Sequence, residues 1–218
     1  WFRLPAEDAT PDLLGVLKGE DEFDFFYQIM LPEMTDASRM WIPFPQSDLF
    51  QNVEIINIQS PVKHQILEDK FNENKAFLMD LNPEHSGGTI EISYRVKRTE
   101  RGVYADETRS PEAFLRPNRL VPDLESFTKI AEEVIAGKLG TLAQGRALYD
   151  HTIDQMAYIK YGEGWGKGDA VYACDSRTGN CTDFHSYFIA LARAVEIPAR
   201  FAIGASIPSA RNEGGISG

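Results

Sequence analysis

Residues 179–200 read Gly-Asn-Cys-Thr-Asp-Phe-His-Ser-Tyr-Phe-Ile-Ala-Leu-Ala-Arg-Ala-Val-Glu-Ile-Pro-Ala-Arg. Within this stretch Phe184, Phe188, Leu191 and Val195 recur at the spacing of one helix face. The following Ile-Pro pair disfavours further helix, because the residue before a proline avoids the helical conformation. The stretch therefore predicts an amphipathic helix that begins near its single cysteine.

That cysteine, Cys181, lies at the start of the predicted helix, with Asn180 as the expected N-cap and Asp183 in the first turn. Its spacing to Phe184 places it on the inward side of the helix. Unpaired N–H groups and the helix dipole at this position favour a thiolate and an oxyanion, as acyl transfer requires. A buried, inert cysteine at a helix end fits the spacing equally well. Spacing alone leaves both interpretations open.

Upstream of residue 179 the pattern is helical and then rich in glycine. Apolar residues recur at helical spacing over 124–135, and a second helix is expected over 142–158. It stops at glycines spaced two apart, Gly162, Gly164, Gly166 and Gly168. These glycines lack the strand-then-helix context of a phosphate-binding loop, which disfavours that function. Downstream, residues 199–204 predict a strand that returns to the core.

The N-terminal part of the chain has the period of strands. Apolar residues alternate from Phe23 to Leu31 and again from Ile90 to Val96, with short apolar segments between them. This pattern predicts an antiparallel β-sandwich, with the segment around Pro43 and Pro45 at a sheet edge. Prolines 111, 117 and 122 interrupt the pattern. We expect an α+β protein with a sandwich over 1–105, a linker over 106–122 and a second domain over 123–218.

Composition excludes several classes of protein. The chain has 22 Lys and Arg against 33 Asp and Glu in 218 residues, a net charge of −11 that disfavours nucleic-acid binding. Its 43% hydrophobic content is enough for a folded core, and it has no apolar run long enough to span a membrane. The sequence begins at Trp1 without a signal pattern, so we expect that an upstream piece was removed.

The segment 179–200 resembles the core motif of the transglutaminase-like superfamily. The matching features are Gly-x-Cys at 179–181, the apolar helix, Arg193 and Ile-Pro-Ala-Arg at 197–200, with a weaker extension to Gly168-Asp169-Ala170. The resemblance implies a papain-like thiol fold for residues 123–218, with Cys181 as the nucleophile of a Cys-His-Asp triad. In that family the histidine lies on a strand some tens of residues after the cysteine. No histidine follows His185 here, so we expect this chain to hold the N-terminal half of the domain and to lack the catalytic His and Asp.

Other residues near the cysteine are candidates for supporting roles. His185 is one helical turn beyond Cys181 and is either a base or, more in keeping with the family, a packing residue. Some family members use an upstream tryptophan as an oxyanion donor, which makes Trp165 a candidate. Otherwise Trp165 anchors the loop through its ring and N–H. Asn180 and Asp183 are candidate supporting residues. His64, His85 and His151 are expected to be structural or exposed, and Asp169 and Asp175 are expected to hold the loop.

The two cysteines, Cys174 and Cys181, allow two further interpretations. With His185 they form a Cys-x6-Cys-x3-His pattern, which is a poor spacing for structural zinc. A disulfide between them would consume the proposed nucleophile. No metal or organic cofactor is implied.

The function expected from the sequence is thiol-dependent acyl transfer on peptide or side-chain amides, with hydrolysis favoured over crosslinking by the resemblance. The complete protein would then be a cysteine-peptidase-like hydrolase or an acyltransferase, and this chain alone would be inactive. The alternative is a non-catalytic module that binds a polypeptide or glycan on a degenerate thiol fold. Polypeptide is the expected partner, the oligomeric state is undetermined, and the family favours a periplasmic or extracellular location.

Overall fold

Six antiparallel strands form two three-stranded sheets in the N-terminal part of the chain. The computed structural model describes residues 20–69, 73–99, 110–160 and 162–205. The strands are β1 (Glu20–Met30), β2 (Ser38–Pro43), β3 (Gln51–Gln59), β4 (His64–Glu68), β5 (Lys75–Leu81) and β6 (Thr89–Thr99). One sheet has the order β1-β6-β3 and the other β2-β5-β4. Among the described strands β2 pairs with β5 alone, and it ends at Pro43, so the expected edge position of this proline is confirmed.

The alternation of apolar residues fixes which face of each sheet is buried. On β6, Ile90, Ile92, Tyr94 and Val96 are buried while the residues between them are more exposed. They form one apolar cluster with buried residues of the other sheet, among them Phe77 on β5. The two sheets therefore pack face to face, as the sequence predicts for a β-sandwich.

Four helices form a second unit within residues 110–203. They are α1 (Glu125–Ile135), α2 (Thr141–Gln155), α3 (Ala170–Ser176) and α4 (Cys181–Ala194), and two short strands, β7 (Ala157–Tyr158) and β8 (Thr178–Gly179), pair in parallel. α4 lies at the centre and packs against the other three helices. Its Leu191 and Ala192 are fully buried, and the fully buried Ala131, Ala170 and Ala173 of α1 and α3 allow close approach.

Two sequence expectations for this unit are wrong. α2 ends at Gln155 rather than near residue 158, because the chain turns away to pair with β8. The strand expected over 199–204 is absent, and Phe201 and Ile203 are 40% and 83% exposed. The backbone of Ala199 is engaged elsewhere: its oxygen accepts from Arg193 Nη2 at 2.8 Å and its N–H donates to the Phe114 oxygen at 3.3 Å.

Residues 110–122, which the sequence places in a linker, pack on the helices of the second unit. A 3-10 helix spans Pro111–Leu115. Val121 is buried in the helical core, and the Leu120 oxygen accepts from Ala170 N at 2.9 Å. The domain boundaries at 105 and 122 stay a prediction. None of the helices in the described ranges has the length and hydropathy that a membrane crossing requires.

One buried polar atom in the sandwich gives a test of its packing. The hydroxyl of Tyr94 has no hydrogen-bond partner among the described residues, and burial raises the pKa of Tyr94 to about 12. We expect Tyr94→Phe to raise the free energy of unfolding by about 1 kcal/mol, measured by urea denaturation, because it removes an unsatisfied buried group.

The matched control is Tyr187→Phe. The hydroxyl of Tyr187 lies 3.2 Å from His151 Nε2, so this variant should lose about 1 kcal/mol instead. A loss for Tyr94→Phe as large as that for Tyr187→Phe would contradict the prediction.

Candidate functional site

The first turn of α4 is closed by two side chains. Asn180 is the N-cap, as predicted, and its Oδ1 accepts from Thr182 N at 2.9 Å. Its side chain also accepts the N–H of Asp183, while Asp183 Oδ2 accepts from Asn180 N at 2.9 Å. This capping box uses most of the donors at the helix start. Among the described residues, the N–H of Cys181 is left without a hydrogen-bond partner.

Cys181 is the first residue of α4, and its side chain is exposed. The expected inward orientation is therefore wrong. At the first helical residue the side chain tilts toward the N-terminus, beyond the turn that packs on the core. Cys181 is therefore not buried at the helix end. The structure thus presents an accessible thiol and, within its described part, an unpaired N–H on the same residue.

The carboxylate of Asp183 joins α4 to a glycine-rich segment. We call residues 162–168 the glycine loop. Asp183 is fully buried, and its Oδ2 accepts from Gly166 N at 2.6 Å while its Oδ1 accepts from Gly168 N at 3.1 Å. With the bond from Asn180, three backbone N–H groups satisfy one buried carboxylate, as a buried charge requires.

From the sequence, Asp169 and Asp175 are the aspartates expected to hold this loop. Asp169 instead caps α3, where its Oδ1 accepts from Val171 N at 2.9 Å and from Tyr172 N at 3.2 Å. Asp175 is an exposed residue of α3. The sequence predicts Asp183 as a candidate supporting residue near the helix dipole. It does not predict the bonds of Asp183 to the loop, because its partners lie 15 and 17 residues away with no sequence pattern to mark them.

Two glycines are required for this close packing. A Cβ at Gly179 would lie 2.4 Å from Asp183 Cβ, and one at Gly168 would lie 2.8 Å from Thr182 Cγ2. Gly168 also has a φ of +69°, which L side chains rarely adopt. The glycines therefore allow the backbone to approach the start of α4.

Trp165 stands in the glycine loop, next to Gly166. Its side chain is 37% exposed. The sequence also allows Trp165 to anchor the loop through a hydrogen bond from its indole N–H to a carbonyl. Within the described ranges the indole makes no such bond. The indole N–H is therefore a donor in the loop that Asp183 fixes to α4.

The structure does not bring His185 to the thiol by a hydrogen bond. His185 is exposed, and its ring packs edge-on against Phe201 at 5.1 Å between centroids. No hydrogen bond joins Cys181 and His185 in the part of the chain that the structure describes.

The remaining histidines have partners of their own. His64 packs edge-on against Phe77 in the sandwich. His85 Nδ1 accepts from Asn82 N at 2.9 Å. His151 lies beside Tyr187. Among the described residues, the base expected for a thiol triad is therefore not in place at Cys181.

A second polar cluster, Cys174, Tyr187 and His151, lies where α3, α4 and α2 meet. Burial raises the pKa of the Cys174 thiol, and the charge of Asp175 raises it further. Burial raises the pKa of Tyr187 to about 12 and lowers that of His151. Both cysteines are free, and no three metal-binding side chains cluster within the described ranges. Burial therefore favours the neutral thiol at Cys174 over the thiolate that a nucleophile needs.

Exposed aromatic side chains flank the start of α4, a feature that the sequence analysis missed. β7 pairs Tyr158 with Gly179, two residues before Cys181. Tyr158 is 60% exposed, and its ring lies 5.9 Å from that of Phe184. An exposed aromatic ring therefore stands on the strand that pairs with Gly179, close in the chain to the thiol.

We expect Asp183→Ala to lower the free energy of unfolding by about 3 kcal/mol or more, because it leaves one buried and two partly buried N–H donors without their acceptor. Asp169→Ala, which removes only a helix cap, should cost about 1 kcal/mol. Urea denaturation of both variants measures the difference. Equal, small losses would show that Asp183 does not hold the loop.

His151 makes the stability depend on pH. Its pKa is lowered from the ordinary 6.5, first by burial and then by the charge of Arg177. The unfolded chain therefore takes up the proton at a higher pH than the folded chain does. The resulting contribution to stability is complete above the unfolded pKa and is lost as the pH falls through the folded pKa.

This pH dependence is measured by urea unfolding at about pH 7.5 and about pH 5. We expect His151→Gln to lose less stability between the two conditions than the parent protein. His185→Gln, which changes an exposed histidine, should keep the parent's loss. Equal losses in all three proteins would contradict the prediction.

Comparison with known proteins agrees with this geometry. Residues 128–215 match the family model described as the transglutaminase-like superfamily. An uncharacterized protein from Haemophilus influenzae is 20% identical over 213 residues, which cover 90% of this chain. This chain spans 58% of the length of that relative.

A solved structure from Cytophaga hutchinsonii, named as a "putative cysteine protease", has the same fold. It superposes with a TM-score of 0.61 at 18% identity, over 84% of this chain and 67% of that chain. This likeness shows a cysteine-protease-like fold. Residues 128–215 therefore match the model of the transglutaminase-like superfamily, and a region of antiparallel β-sheet precedes them in the chain.

Proposed function

We propose that Cys181 is the nucleophile of an acyl-transfer reaction on peptide or side-chain amides. The observation that carries the proposal is the exposed thiol on the first residue of α4, within the region that matches the superfamily. Cys174 is the less suitable thiol, because burial raises its pKa. A nucleophile needs the opposite environment.

The reaction forms and breaks one bond at a time. The Cys181 thiolate attacks the amide carbonyl carbon, a C–S bond forms, and the C–N bond breaks as the amine leaves with a proton from a general acid. The product is a thioester on Cys181. Water then hydrolyses it to a carboxylic acid, or an amine converts it to a new amide. Hydrolysis is the outcome that we favour, on the resemblance stated above.

Charge on the carbonyl oxygen must be stabilised while the bonds change. The N–H of Cys181 is unpaired among the described residues, so it is the first proposed donor to that oxygen. The indole N–H of Trp165 is the second proposed donor. Removing one such donor typically costs about 100-fold or more in rate.

The general base is a further part of the proposal. The described histidines contact residues other than Cys181, and this chain spans 58% of the curated relative. We therefore propose that the catalytic histidine and aspartate come from outside the described residues. His185, one turn from the thiol, is the alternative base.

A polypeptide is the proposed substrate class. The exposed Tyr158 and the half-buried Phe184 border the start of α4 and offer apolar surface to the side chain next to a scissile amide. The net charge of −11 disfavours an anionic polymer such as nucleic acid.

The test is the rate of Cys181 alkylation by iodoacetamide as a function of pH. It is measured in Cys174→Ser protein, both in this chain and in a chain that carries its native flanking residues, with Cys181→Ser as the blank. We expect a rate plateau that persists well below about pH 8.5 in the longer chain, because a completed site stabilises the thiolate.

Each alternative has its own outcome. A plateau in both chains would assign the base to His185. An ordinary thiol titration in both chains would contradict the catalytic proposal and favour a non-catalytic module that binds polypeptide or glycan.

A further inference from the structure

We infer that Asp183 is a positioning residue for Cys181: its carboxylate holds the glycine loop on the first turn of α4, so that the loop and the thiol form one rigid element. The inference deepens the proposed function and rests on it. It assigns to Asp183 a role in the reaction that goes beyond capping a helix.

The first argument is the position of the bonds. The two carboxylate oxygens of Asp183 accept from Gly166 and Gly168 in the loop and from Asn180 at the N-cap. Asn180 directly precedes Cys181 in the chain. One side chain therefore fixes the loop relative to the residue before the thiol.

The second argument is that the loop touches residues on both sides of the thiol. A Cβ at Gly166 would lie 3.1 Å from Asn180 Nδ2, and a Cβ at Gly168 would lie 2.8 Å from Thr182 Cγ2. Cys181 stands between these two neighbours. Loosening the loop would therefore release both residues that set the direction of its side chain and of its N–H.

The third argument is the chemistry of the acceptor. A carboxylate offers two oxygens and about four lone pairs, enough for three N–H donors. An asparagine of the same shape would turn an NH₂ group toward at least one of those donors. Asp183 is fully buried, and no ion pair to it is present in the described ranges. Its charge is therefore balanced by backbone dipoles at the start of α4.

A merely structural role makes a different prediction. If Asp183 only stabilised the loop, its loss would lower stability and leave the behaviour of the remaining folded thiol unchanged. If it positions Cys181, its loss changes how the reactivity of the thiol depends on pH, even in molecules that stay folded.

The experiment compares Asp183→Asn with Asp169→Asn, both with Cys174→Ser, in the longest native chain. The control, Asp169→Asn, also removes a charge from this region, but an asparagine at position 169 can still cap α3. Amide hydrogen exchange of Gly166 and Gly168 reports the loop, and alkylation of Cys181 against pH reports the thiol. Urea denaturation corrects both for global unfolding.

We expect exchange at Gly166 and Gly168 to rise by about tenfold or more in Asp183→Asn beyond any global effect. We also expect its alkylation profile to shift in pH or lose its plateau, while Asp169→Asn matches the parent. Unchanged exchange would overturn the inference. Faster exchange with an unchanged alkylation profile would also overturn it, because Asp183 would then be structural only.

The failure of the proposed function is visible in the parent protein. An ordinary thiol titration there overturns the proposed function and this inference together. Suppose instead that the parent shows a plateau but Asp183→Asn shows unchanged exchange or an unchanged alkylation profile. Then only the inference about Asp183 fails, and the proposed function stands.

A second pair of variants covers the case in which Asp183→Asn does not fold. Gly168→Ala places a methyl group 2.8 Å from Thr182 Cγ2, and Gly168→Ala/Thr182→Ser removes that methyl contact while keeping the same backbone strain. We expect the alkylation profile of the double variant to lie closer to that of the parent than the profile of the single variant does. Identical profiles for the two would overturn the inference.

Discussion

The buried carboxylate of Asp183 is the interaction on which the candidate site depends. A charge without solvent contact is costly unless donors surround it, and here three backbone N–H groups do so. These donors come from the glycine loop and from the N-cap of α4. The same contacts explain why glycines stand at 168 and 179, where a Cβ would collide with Thr182 or Asp183. The loop, the cap and the thiol are thus one arrangement.

The fold places its two cysteines in opposite environments. Cys174 lies on α3 beside Tyr187 and His151, where burial raises the pKa of its thiol. Cys181 lies at the start of α4, exposed and next to an unpaired N–H. Only six residues separate them in the sequence. The difference comes from the helix boundary between them, which turns one side chain into the unit and the other out of it.

The secondary-structure elements and the helix cap that depend on local contacts were predicted from local sequence patterns. The alternation on β6, the helix α4 and its N-cap at Asn180 follow from spacing and residue type. The parallel pair β7 and β8 and the bonds of Asp183 were missed, because they join residues that are distant in sequence. The strand expected over 199–204 was wrong, because Arg193 and Phe114 engage the backbone of Ala199 instead of a neighbouring strand. The inward orientation expected for Cys181 was wrong, because the buried face of α4 does not extend to the first residue of the helix.

The central claim is that Cys181 accepts an acyl group. The most direct measurement treats the longest native chain with an activated acyl ester and maps the product by intact mass and peptide mass spectrometry. The account predicts one thioester adduct on Cys181, which remains in Cys174→Ser and disappears in Cys181→Ser. An adduct on Cys174, or none on either cysteine in the folded protein, would contradict it.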